Sequence, residues 1–152
     1  MTILQRLATF SALGLARCTT PETSAVDAAA IQVAAATHIV GEIASNPGGI
    51  TTVCVSYGGA WSTPRLPALE HDTVRVLDSD GCEEVAGVLR DRDEGGQAIS
   101  ARVGIPKMVT SSRAEVRVIT STGSFDVAAY QCALKREEAL WTTKGCELEA
   151  IS

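Results

Sequence analysis

His71 stands next to Asp72, the one place in this chain where an imidazole is followed directly by a carboxylate. Such a pair can act as an oriented general base. Adjacent residues on a strand point to opposite faces, however, and no nucleophile has motif support. Gly-x-Ser-x-Gly and His-Glu-x-x-His are both missing, and Ser56-Tyr57-Gly58-Gly59 lacks the leading glycine of a nucleophile elbow. An enzyme site around His71 and Asp72 is therefore the alternative reading, and a solvated loop is the simpler one. The other histidine, His38, falls inside a helical pattern beside Ile31 and Ala35 and reads as a core-edge residue rather than a ligand.

Two acidic turns invite a second reading, a weak cation- or small-ligand-binding module. Asp78-Ser79-Asp80-Gly81 and Asp91-Arg92-Asp93-Glu94-Gly95-Gly96 share residues with calcium loops. A calcium loop of the EF-hand type needs glycine at its sixth position and glutamate at its twelfth. Counting from Asp78 gives Glu83 and Leu89; counting from Asp91 gives Gly96 but then Arg102. Both stretches read better as turns. No metal site and no cofactor is expected. Gly58-Gly59-Ala60-Trp61 is where glycines meet an aromatic in a proline-containing loop, so Trp61, with Tyr57 and His71, is a candidate contact for a ligand or partner.

The five cysteines carry the clearest chemistry. None forms the Cys-x-x-Cys spacing of a zinc site, and only two histidines exist to complete a metal set, so disulfides are the expected use. Setting Cys18 aside leaves Cys54, Cys82, Cys132 and Cys146, an even number suited to disulfides. The last two lie on adjoining strand candidates. If Cys132 faces Cys146, Tyr130 faces Leu148 and Leu134 faces Lys144; a slip of one residue would set Tyr130 against Glu147. Because such a slip turns every side chain to the other face, the first register is expected, with Cys132–Cys146 and, by elimination, Cys54–Cys82. In that register Trp141 lies on the face opposite Cys146.

These groups need elements to hold them. Among the 152 residues 45% are hydrophobic but only 4% aromatic, so the core must be built from Ala, Val, Ile and Leu and gains from covalent staples. Ala25 to Ser45 has apolar residues at helical spacing (Val26, Ala30, Val33, Thr37, Val40, Ala44), widened by Ile31, Ala35 and Ile39. Ser24 and Asp27 form a capping-box-like start, and Asn46-Pro47-Gly48-Gly49 a stop. Strand candidates follow at Ile50–Tyr57, Thr73–Leu77, Gln97–Ile105, Arg113–Ser121, Phe125–Leu134 and Leu140–Ala150, with Glu84–Arg90 open to helix or strand and Thr122-Gly123-Ser124 as a hairpin turn. Short gaps favour antiparallel pairing. The expected fold is α+β: one long helix packed on an antiparallel sheet of four or more strands, a single domain over residues 25–152.

The N-terminus reads as an address. Leu7 to Leu15 is apolar, of signal-peptide length and too short to span a bilayer. Leu15-Ala16-Arg17-Cys18 resembles the bacterial lipobox, in which the cysteine is lipidated and becomes the new N-terminus, although Arg17 replaces the usual small residue. That resemblance implies lipidation at Cys18, a signal segment over residues 1–18, a tether over 19–24 and a membrane contact through a lipid anchor. Ordinary cleavage between Ala16 and Ala25 would give a soluble exported domain; a cytosolic protein with an apolar first helix is the third reading. The closing segment, YQCALKREEALWTTKGCELEAIS, resembles the C-terminal hairpin of small exported bacterial proteins, with Ala150 where a Trp is frequent. It implies an envelope context, periplasmic or on the outer membrane, with an envelope protein as candidate partner, and points to no particular activity.

The net charge of −5, which loss of Arg6 and Arg17 would lower to −7, comes with scattered lysines and arginines. Phosphate binding needs these clustered, so a nucleic-acid partner is not expected. The leading expectation is a small exported envelope protein that binds rather than catalyses.

Overall fold

The computed structural model describes residues 23–59 and 70–152. One helix, α1 (Ala25–Ser45), packs on a mixed sheet of nine strands: β1 (Thr52–Tyr57), β2 (Arg75–Asp78), β3 (Cys82–Val85), β4 (Val88–Asp91), β5 (Ala98–Val103), β6 (Lys107–Thr110), β7 (Arg113–Gly123), β8 (Asp126–Glu137) and β9 (Leu140–Ile151). The order is β2-β1-β5-β7-β8-β9, with β6 beside β5 on the same edge of β7 and the β3–β4 hairpin attached through Val88 to Gly123. The helix-on-sheet expectation holds. The sheet differs in being mixed: β1 runs parallel to both β2 and β5. Parallel neighbours need a crossover of a dozen residues or more, and the stretch between Tyr57 and Arg75 is long enough to supply one.

Helix α1 starts as its sequence dictates. Ser24 Oγ accepts from the Asp27 amide at 3.2 Å and satisfies one of the free donors of the first turn. The face it buries is not centred where the sequence placed it. Ala28, Ile31, Gln32, Ala35, Ile39 and Val40 point at the sheet, whereas Val26 is 80% exposed. The residues expected to widen the stripe are its middle. Helix α1 is also long and apolar enough to cross a membrane by length and composition; its buried face marks it as a core helix.

Period-2 alternation divides the sheet into two faces. Val53 and Val55 of β1, Ala101 and Val103 of β5, and Val116 and Val118 of β7 face α1 in the main core. Thr52 and Cys54, the alternate residues of β1, face the other way. There Cys54, Cys82 and Ala98 make a small second cluster under the β3–β4 hairpin. Glu84 to Arg90 resolves as that hairpin, turning at Ala86 (φ 52°) and Gly87 (φ 81°), both left-handed as a two-residue turn requires. A Cβ at Gly123 would overlap the Gly87 carbonyl oxygen, so the hairpin can approach β7 there only because residue 123 has no side chain. The β7–β8 turn falls at Ser124-Phe125, one residue beyond its expected place. Strand β6 was not foreseen; Pro106 separates it from β5, and it buries Met108.

Candidate functional site

The cysteine pairing is as the register predicts. Cys132 and Cys146 are joined across β8 and β9 with Cα atoms 4.0 Å apart, and Cys54 is joined to Cys82 with Cα atoms 6.1 Å apart. Tyr130 opposes Leu148, as expected, but Leu134 opposes Thr143 rather than Lys144. Lys144 is the extra residue of a β-bulge, and an extra residue reverses the alternation beyond it. Trp141 is thereby turned onto the same side as Cys146. Instead of capping the outer face it is buried in the main core, its Nε1 donating to Asp27 Oδ1 at 3.1 Å. That bond, the Ser24 hydroxyl and the Arg136 guanidinium hold the Asp27 carboxyl below its ordinary pKa, against the smaller cost of its burial.

The sequence candidates do not form one site. Cys18 and Trp61 lie outside the described residues. Tyr57 ends β1 against the main core, and its buried hydroxyl has no hydrogen-bond partner among the described residues. Burial, helped by the negative charge of Asp78, pushes the phenol up to about 12, so it stays protonated at any physiological pH. His71 and Asp72 are both exposed. The His71 ring faces Thr73, whose hydroxyl lies 3.1 Å from Nδ1, in a turn that closes on itself.

The acidic turns are structural. Ser79–Gly81 form a short 3-10 turn entered at Asp78. Asp91 is fully buried, and its oxygens are occupied. Oδ1 accepts from the amides of Asp93 and Glu94 at 2.9 and 3.0 Å, Oδ2 from Thr52 Oγ1 at 2.9 Å and Arg75 NH1 at 3.0 Å. Burial alone would raise this carboxyl, but those hydrogen bonds and the Arg75 charge outweigh it and leave the pKa lowered. Four donors leave little for a cation to take. Among the described residues no three His, Cys, Asp or Glu side chains converge as metal ligands.

What the fold does enclose is a cleft between α1 and the sheet, in two parts that meet at His38. One part is an open apolar groove of about 690 Å³ along the outer flank of α1, where Ala30, Val33 and Ala34 face Leu140 and Trp141 at the start of β9. The other is a more closed chamber of about 330 Å³ under the C-terminal half of α1. Its roof is His38, Ile39, Glu42 and Ile43; its floor includes Ile99, Thr120, Tyr130 and Cys146. His38 and Glu42 are one turn apart and so share a helix face. Thr120 and Tyr130 share a face because Tyr130 pairs with Val118, two residues from Thr120. Both volumes suit a small molecule; the groove is mostly apolar, whereas the chamber is lined about evenly by polar and apolar surface. Gln32 fixes the opposite end of the roof, donating from Nε2 to the Gly58 and Gly104 carbonyls at 2.8 and 2.9 Å.

His38 was thus placed at the core edge correctly, but its partners in the chamber were not foreseen. The i, i+4 spacing of His38 and Glu42 was the available signal. Tyr130 and Thr120 gave none beyond strand alternation. The fold and cleft define a disulfide-stapled helix-on-sheet protein. No protein family, curated protein or solved structure matches the chain.

Proposed function

We propose that this chain is a small exported protein of a bacterial envelope, periplasmic or lipid-anchored through Cys18, that works by binding rather than catalysis and uses the cleft between α1 and the sheet. The cleft carries this reading: it joins an apolar groove to a chamber lined by both polar and apolar side chains, while His71 and Asp72 sit exposed on a self-closing turn. Export is supported by the two disulfides, which form and persist in oxidising compartments, and by the lipobox-like segment ending at Cys18.

Intact mass of the native chain from fractionated cells tests the address. A chain beginning at Cys18 with added lipid mass supports anchoring, and one without lipid beginning between Arg17 and Ala25 a periplasmic protein. A chain in the cytosol that retains Met1 and free thiols overturns the proposal. For the mode of action, His71→Ala leaves binding to envelope extract components unchanged, whereas Leu140→Asp at the mouth of the groove weakens it. The reverse pattern would favour a site around His71.

A further inference from the structure

We propose that the chamber under α1 takes a small alkylammonium ion, its charged head beside Glu42 and its hydrocarbon tail among Ile39, Ile43 and Ile99. This rests on reading the cleft as the binding site and adds the chemical class of the ligand.

The lining decides the class. Among the described residues its only formal charge is the Glu42 carboxylate, and no lysine or arginine lines the chamber. Lys144, next to Gly145 in β9, is paired instead with Glu137 at 2.9 Å. Among the described residues Glu42 enters no salt bridge, including none with His38 one turn away, so no cation of the protein competes for its carboxylate. The polar groups around it can all accept: the carboxylate only accepts, the Thr120 and Tyr130 hydroxyls each offer lone pairs, and a neutral imidazole offers one nitrogen. An ammonium brings three N–H donors and no acceptor, which matches this set. A carboxylate or phosphate would find no fixed positive partner and would meet Glu42. The net charge of −5 favours approach of a cation over an anion in the same sense.

Position sets the orientation. Glu42 is exposed and stands at the mouth, whereas Ile39 is 4% exposed and Ile99 packs against the main core. The head therefore stays near water beside Glu42, and the tail goes inward among Ile39, Ile43 and Ile99. About 330 Å³ equals the space of roughly ten water molecules at ~30 Å³ each. That accommodates a chain of about six carbons and leaves the larger groove beyond His38 for anything longer.

The test uses the disulfide-intact protein at pH 8 with three probes of equal tail: n-hexylamine, 1-hexanol and hexanoate. Methyl shifts of Ile39, Ile43 and Ile99, followed by NMR, report occupancy and affinity together. Hexylamine is expected to bind about three- to tenfold more tightly than hexanol, the range for a partly exposed charged contact, and hexanoate more weakly than either. Glu42→Gln brings hexylamine down to the level of hexanol. Glu42→Lys, tolerated on an exposed face near a helix C-terminus, reverses the order so that hexanoate leads. If all three probes move the methyls equally, or the order survives Glu42→Lys, the cation proposal falls while the cleft remains a binding site. If no probe moves them, both readings fall.

Discussion

On the inner face of the sheet, Cys132–Cys146 lies in a continuous apolar core shared with α1, whereas on the outer face Cys54–Cys82 lies in a cluster of three buried residues edged by Leu77 and Leu89. The inner staple joins strands that already pair along most of their length. The outer one fastens a hairpin whose strand pairing with the rest of the sheet, among the described residues, is limited to Val88–Gly123 and Arg90–Gln97. By loop closure alone the two are similar: separations of 14 and 28 residues correspond to about 3 and about 3.5 kcal/mol. Their surroundings differ. What the outer layer lacks in apolar burial it makes up with the Asp91 hub, which ties β4 to β1 through Thr52 and to β2 through Arg75. The inner layer is held by area and the outer by a crosslink and a saturated carboxylate.

This contrast predicts two units of unequal stability. The largest effect belongs to the inner core: Ile31→Ala should cost about 3–4 kcal/mol in urea unfolding, because Ile31 is fully buried against the sheet. In native-state hydrogen exchange its loss should fall on α1, β5 and β7 and leave the β3–β4 amides unchanged, since those open locally at lower free energy. Equal acceleration in both layers would merge them into one cooperative unit. Cys54→Ala with Cys82→Ala should release about 3.5 kcal/mol of constraint from the outer layer. The visible result is fast exchange over residues 82–91 with α1 still protected, and protection lost equally in α1 would again break the distinction.

Asp91→Asn comes next, at about 2–3 kcal/mol, because an amide in that place turns a donor toward Arg75 or Thr52 where an acceptor is needed. The same residue gives the outer layer its pH dependence. A carboxyl whose folded pKa is lowered stabilises the protein above its unfolded pKa, near 4, and that contribution is lost as pH falls through the lower folded value. The wild-type outer layer should therefore loosen below about pH 4, and Asp91→Asn should flatten that acid limb. A limb of unchanged slope would assign it to other carboxylates, Asp27 among them.

Helix α1, most strands and both disulfides were legible because each rests on short-range pattern: a cap, a stop, alternation, and a register that only one pairing satisfies. Parallel pairing of β1 was not legible, since nothing local in Thr52–Tyr57 says which strand will lie beside it. Nor was the β3–β4 hairpin, whose turn places Ala86, an ordinary residue, in the left-handed region. The Asp91 sequence announced a turn but not that its carboxylate would gather donors from β1 and β2 as well as from the turn itself. The cleft was the least legible part: His38 and Glu42 are four residues apart, but Thr120 and Tyr130 reach them only through the packing of helix on sheet.

The smallest effect probes the bulge that separates the expected register from the observed one. Trp141 belongs to the inner layer only because Lys144 is an extra residue in β9. Trp141→Phe keeps most of the buried ring but removes the N–H that Asp27 accepts. It should cost about 1 kcal/mol, a hydrogen bond to a charged but partly exposed group. Losing that donor should also raise the Asp27 pKa toward its ordinary value, with the Ser24 and Arg136 contacts still holding part of the depression. Asp27 then contributes less stability above its unfolded pKa and loses it at a higher pH as acid is added. Carboxyl carbon NMR titration of Asp27 reads this directly. With Trp141 on the outer face, as unbroken alternation would place it, the substitution would leave Asp27 untouched. An unshifted titration would therefore restore the bulge-free register and take the floor of the groove with it.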